Sequence, residues 1–165
     1  MKRKLLIGGG VILLIGALWM LVATRAPGEP QGPLLSIGGN TISLEIADTD
    51  EERELGLGNR EAIPPDSGML FVFTESDAYG VWMKEMHFPL DVVWLASAKA
   101  DTGNSQDDAK KEHDLVVVDI KENIAPETYP EEFYPSESVL YVLEIPAGTA
   151  KKNGIQIGSV LTFKE

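Results

Sequence analysis

Leu34-Leu35-Ser36-Ile37, Gly38-Gly39-Asn40 and Thr41-Ile42-Ser43-Leu44-Glu45-Ile46-Ala47 form the stretch whose reading decides the fold class. Ile42, Leu44 and Ile46 alternate with polar neighbours, the two-residue period of a half-buried strand. The Gly-Gly-Asn interval supplies a turn, so 34–47 is expected to be a hairpin. Just downstream, Thr49 and Glu52 stand in capping-box spacing. They predict a short helix through Leu55, ended by Gly56 and Gly58. Pro64-Pro65-Asp66-Ser67-Gly68 reads as a turn. Further strands are expected at Met69–Thr74, Gly80–Lys84, Asp91–Leu95, Asp114–Lys121, Val139–Ile145 and Val160–Phe163. About eight short strands with one or two short helices predict a mainly β fold, a compact sandwich or barrel. No helix-length segments separate the strands, which argues against a doubly wound parallel sheet.

The chain has 165 residues, 44 % of them apolar and 24 % charged, the composition of one globular domain. It has no cysteine, which excludes disulfide scaffolds, thiolate metal sites and thiol nucleophiles. The net charge of −12 argues against a nucleic-acid partner, because phosphate binding needs clustered Lys and Arg. Lys2, Arg3, Lys4 and Arg25 flank the run Leu5–Ala23, 19 residues without a charge. As a helix this run spans roughly 28 Å, enough to cross the hydrocarbon of a bilayer. The basic excess before it places the N-terminus in the cytoplasm and the domain outside, in a single-pass arrangement. The division expected is a membrane anchor over 1–25, a Pro/Gly linker over 26–33 and an extracytoplasmic β domain over 34–165. The alternative is a cleaved signal and a secreted domain, but Pro27 makes a poor cleavage context. Ala96–Asp114, rich in Ala, Ser, Asp, Lys and Gly, reads as an exposed, mobile loop.

Chemistry-bearing motifs are few. His87 and His113 are the only imidazoles, and Pro89 separates His87 from Asp91, so no metal site is expected. No phosphate-binding glycine loop, nucleophile elbow or cofactor motif is present, and no catalytic residue is assigned. Gly68–Phe73, Val81–Lys84 and Phe88–Asp91 form the densest aromatic and Met region. Strand alternation places Trp82 and Lys84 on one face and Met83 on the other. With a nearby Asp they can line a pocket, an apolar platform with polar groups that fix orientation. The alternative is that Phe71, Phe73, Trp82 and Trp94 are core, with Lys84 reaching water. Trp82 is expected to be largely buried on at least one ring face.

Arg53-Glu54-Leu55-Gly56-Leu57, Arg60, Gly68–Phe73, Trp82-Met83-Lys84 and Pro89-Leu90-Asp91, with Val142–Ile145, Ala147-Gly148, Gly154 and Gly158, occur in an order that resembles the family called domain of unknown function 192. Where that family commonly has Gly-Leu-Met, this chain has Gly56-Leu57-Gly58. Where it commonly has Trp-Met-Lys-Asn-Thr, this chain has Glu85-Met86 after Lys84. The resemblance implies a compact, mainly β domain, often exported or membrane-tethered, and no known reaction. Within its motifs Arg53, Arg60, Lys84, Asp91 and Glu144 are the polar residues, and with Trp82 they form the candidate ligand-binding set. Removing the four membrane-flanking cations from 14 leaves ten against 26 acids, a balance of −16. Scarce cations gathered beside a Trp suit a small anionic or carbohydrate-type ligand. The alternative pairs Arg53 or Arg60 with Asp91 or Glu144, tying helix to sheet. A binding module is therefore the leading expectation. A structural or assembly accessory of the envelope, and a hydrolase or lyase using carboxylates and a Lys, are the alternatives.

Overall fold

In the computed structural model, residues 32–37, 39–98 and 113–164 are described. The expected anchor over 1–25, most of the linker and most of the Ala96–Asp114 loop lie outside the described residues. Among these residues no helix is long and apolar enough to cross a membrane.

Strands β1 (Leu34–Ile37) and β2 (Asn40–Ala47) form the antiparallel hairpin. Helix α1 (Asp50–Leu55) follows, with Thr49 accepting from the Glu52 N–H and Glu52 accepting from the Thr49 N–H. This reciprocal cap satisfies amide donors that a six-residue helix otherwise leaves open. Next come β3 (Ser67–Asp77), β4 (Val81–Trp82), β5 (Leu90–Ser97), β6 (His113–Ile124) and a 3-10 turn (Pro126–Thr128). The chain ends with β7 (Glu132–Phe133), β8 (Val139–Pro146), helix α2 (Thr149–Asn153) and β9 (Val160–Lys164).

Seven strands close into a barrel in the order β1-β2-β3-β8-β5-β6-β9, and β4 pairs with β7 outside it. Closure leaves none of these seven strands as a free edge. The β2–β3 pair is parallel, made possible by the long crossover that carries α1. Gly68 allows β3 to approach β8, since a Cβ there would lie 2.7 Å from the Glu144 carbonyl oxygen.

Alternation divides the apolar residues in two. Leu35, Leu44, Leu70, Val93, Leu115, Leu143 and Leu161, one from each barrel strand, belong to one buried cluster that fills the interior. Met69, Phe71, Val92, Trp94 and Val142 belong to a second cluster on the outer face of β3, β8 and β5, with Leu57, Met83 and Met86 packed over them. The Trp94 indole N–H donates to the Tyr79 carbonyl at 2.8 Å and pins the covering segment to the barrel.

The expected strand Gly80–Lys84 is reduced to Val81–Trp82. The chain turns back at once: the Met86 N–H donates to the Met83 carbonyl, and Glu85 has φ +58°. This correction matters because the turn carries Lys84 and Glu85 onto the outer cluster.

Candidate functional site

A cavity of about 290 Å³ opens on the outer face of the barrel, between α1 and the segment around β4. Phe71, Val142 and Glu144 from β3 and β8 lie in its lining and are buried, forming the floor. Phe73 and Tyr79 line it as a stacked pair, with ring centroids 3.4 Å apart and planes 9° from parallel. Arg53, Glu54, Trp82, Lys84 and Glu85 supply its charged and aromatic rim.

Helix α1 places Arg53, and three contacts fix its guanidinium. Nη1 donates to the carbonyls of Asp48 at 2.6 Å and Val72 at 2.8 Å, and Nη2 to the Asp50 carboxylate at 2.5 Å. The guanidinium carbon also stands 5.3 Å from the centre of the Phe73 ring. Arg53 therefore holds the helix against β3 and stiffens one wall. Lys84 is less constrained. Its Nζ lies 5.7 Å from the Trp82 ring centre, and no described acid forms an ion pair with it.

Trp82 is 46 % exposed, so the ring is not part of the core, and about half of the residue is open to solvent. Strand alternation was right about faces, since Met83 is buried and Trp82 exposed, with only Lys84 and Tyr129 against its ring among the described residues. Tyr129, itself exposed, meets the indole edge-on at 6.0 Å.

Glu85 and Asn59 both take the left-handed backbone, at φ +58° and +61°. They hold each other there: the Asn59 N–H donates to the Glu85 carbonyl, and the Asn59 side-chain amide to the Glu85 carboxylate, each at 2.8 Å. Left-handed backbone suits Asn and strains Glu. A carboxylate is thus kept at the cavity rim at a conformational cost.

Glu144 is the group that sets this cavity apart. Its residue is 7 % exposed, on the outward face of β8 opposite Met69 of β3 and Val92 of β5. Among the described residues no donor reaches its carboxyl. Burial pushes its pKa up to about 8, so at neutral pH it is a carboxylic acid, with a proton to donate.

Two residues of the sequence-derived set stand elsewhere. Arg60 forms a two-pronged pair with Glu45, at 2.6 and 2.9 Å. The hydrogen bonds from Arg60 hold the Glu45 carboxyl below its usual range. Asp91 is fully buried at one end of the barrel, where its two oxygens accept from the N–H groups of Asn123 and Ala150, at 2.8 and 2.9 Å. Neither arginine pairs with Asp91 or Glu144. The cavity unites Arg53, Trp82, Lys84 and Glu144, and leaves Arg60 and Asp91 to the scaffold. Sequence reasoning missed Tyr79, Glu54 and Glu85 as lining residues. A signal for Glu85 was its place directly after Trp82-Met83-Lys84. Among the described residues no group of three His, Cys, Asp or Glu could hold a metal ion.

A search of curated proteins finds no significant match. Among solved structures, the chain is similar to a protein of Sinorhizobium meliloti 1021 described as a candidate transcription regulator. The two are 31 % identical, with TM-score 0.63, over 78 % of this chain and 89 % of that one. It is also similar to a protein of unknown function from Novosphingobium aromaticivorans DSM 12444. That pair is 25 % identical, with TM-score 0.60, over 78 % of this chain and 81 % of that one. The family described as "Uncharacterized ACR", DUF192, matches residues 34–103 and 111–163, which is all but the ends and one short interval of the barrel domain. The chain therefore belongs to the DUF192 family.

Proposed function

We propose that the domain is a binding module for a small anionic, carbohydrate-type ligand, seated in the cavity on the outer face of the barrel. The observation that carries this reading is Glu144, a buried carboxyl without a partner at the floor of an open cavity. Burying a polar group without a hydrogen bond is costly, and a ligand that supplies the bond offsets that cost. Trp82 offers an exposed ring for the apolar face of a sugar, and Lys84 an amine for an anionic group. Because burial keeps Glu144 neutral at neutral pH, it does not repel an anion there. The acid surplus of the chain argues against nucleic acid as the polyanion bound, so the regulator description of the S. meliloti relative is not carried over. The run Leu5–Ala23 would tether the domain at the outer face of a cell membrane, with the N-terminus in the cytoplasm.

The test is thermal unfolding of the full chain with glucuronate, galacturonate, glucose and inorganic phosphate. Sugar acids should raise the melting temperature, and Trp82→Ala and Lys84→Gln should each abolish the rise. No shift with any of the four contradicts the reading.

One observation favours a second reading. A buried carboxylic acid with its pKa near 8 is the form a general acid takes, and Glu54 and Glu85 at the rim could serve as the paired base of a hydrolase. Release of reducing ends from a chain of uronic acids, lost in Glu144→Gln, would establish that reading instead.

A further inference from the structure

Glu144 lies at the bottom of the cavity with no donor of the described protein within hydrogen-bonding reach. Its immediate strand neighbours, Met69 on β3 and Val92 on β5, are apolar. The charged and titratable groups that share the cavity with it come from three places: Arg53 and Glu54 on α1, Tyr79 before β4, and Lys84 and Glu85 after it. Arg53 is already engaged by Asp50 and two carbonyls, and Glu85 accepts from Asn59. Lys84 is the cation of this group without an acid partner among the described residues.

We propose that the ligand is a sugar acid bound together with a proton: the Glu144 carboxylic acid donates its O–H to a carboxylate oxygen of the ligand, and Lys84 meets that carboxylate's charge. The proposal rests on the binding reading given above. A carboxylate accepts a short, charge-assisted bond from a carboxylic acid, and a dry floor strengthens it. Ionised, Glu144 would present a second negative charge to the ligand and have no proton to give. The raised pKa of Glu144 puts that loss within an accessible range, since the acid form falls from about nine-tenths of molecules at pH 7 to about one-tenth at pH 9. Binding is thus linked to one proton, and a rise in pH releases the ligand. A neutral sugar lacks the carboxylate and gains little from either group.

The experiment is calorimetric titration of the full chain with glucuronate and with glucose at pH 6, 7 and 9, for the native protein and Glu144→Gln. Glutamine keeps a donor and never ionises. The native protein should bind glucuronate about tenfold more weakly at pH 9 than at pH 7. Glu144→Gln should bind it with a flat profile, and glucose should bind at least tenfold more weakly at pH 7. A native profile as flat as that of Glu144→Gln overturns the proton link while leaving the binding reading standing. Glucose binding as tightly as glucuronate overturns the sugar-acid assignment. Absence of binding to both sugars in both proteins overturns the binding reading and the proposal with it.

Discussion

Asp91 and Glu144 are both acids set in apolar strands, on neighbouring strands of one barrel, and both are almost wholly removed from water. Their surroundings are opposite. Asp91 faces the barrel end, where one oxygen accepts from Asn123 in a bulge of β6 and the other from Ala150 in the first turn of α2. Asn123 has φ +55°, the left-handed backbone that suits Asn, and the Asp91 side chain holds that turn in place. Glu144 faces outward into a cavity, where no described group answers its carboxyl. A buried carboxyl with its hydrogen bonds made is a structural tie. A buried carboxyl left open at the floor of a cavity weakens the fold, and it marks a candidate contact for a ligand.

The largest expected effect tests the structural half of this contrast. Asp91→Ala leaves two N–H groups unanswered at the barrel end, and should cost about 4 kcal/mol, at roughly 1–3 for each orphaned group plus the lost packing. Urea unfolding measures it. A loss below about 1 kcal/mol would show that Asp91 is not the tie described.

Glu144→Gln should have the opposite sign. An unfolded glutamate ionises near its model value of 4.5, and the folded one near 8. The folded state therefore holds the proton more tightly, and its stability falls as pH rises from about 4.5 to about 8. At about 1.4 kcal/mol per pH unit, the native protein forgoes roughly 3 kcal/mol at pH 7 that the glutamine variant keeps. The variant should gain little at pH 4 and most above pH 8. An equal effect at both ends of that range would contradict the account. Stabilisation combined with a ligand response that no longer varies with pH is the trade expected of a functional residue.

Much of this contrast was hidden in the sequence for a physical reason. Leu90-Asp91-Val92-Val93 and Leu143-Glu144-Ile145 show the same pattern, one acid in an apolar strand with both faces buried. That pattern marks both residues as unusual, but what separates them is non-local: the partner Ala150 lies 59 residues from Asp91. Local signals did better. The Thr49–Glu52 cap, the 34–47 hairpin and the strands at 91–95, 139–145 and 160–163 were legible because their determinants lie within a few residues. The choice of barrel over sandwich and the parallel β2–β3 pair were not, since pairing partners are set by packing across the whole chain. Helix α2 had no position legible in the sequence because its five residues carry no side-chain cap, and Asp91 supplies one acceptor from a distant strand. Alternation gave Trp82 its face but not how much of the ring stays open, because that depends on what distant segments cover it.

Two smaller effects sharpen the comparison. Trp82→Ala should cost only about 1 kcal/mol, well below the roughly 3–5 typical of a buried aromatic, because the ring is half exposed. A loss of 3 kcal/mol or more in thermal unfolding would return Trp82 to the core and remove the platform from the site. Arg60→Gln should cost less than about 1 kcal/mol, since its pair with Glu45 is partly open to solvent and screened. It should leave any ligand response unchanged. A ligand shift lost in Arg60→Gln would extend the site beyond the cavity.

Glu144 holds a proton at neutral pH because the fold buries its carboxyl without a partner among the described residues. Carbon-detected NMR of the carboxyl groups in the free protein, with Glu144→Gln to assign the resonance, measures this without any ligand. The expected midpoint for Glu144 is about 8, with its chemical shift unchanged between pH 4 and pH 6. A midpoint close to 4.5 would contradict it, because Glu144 would then be an ordinary solvated carboxylate and the cavity floor would carry a charge.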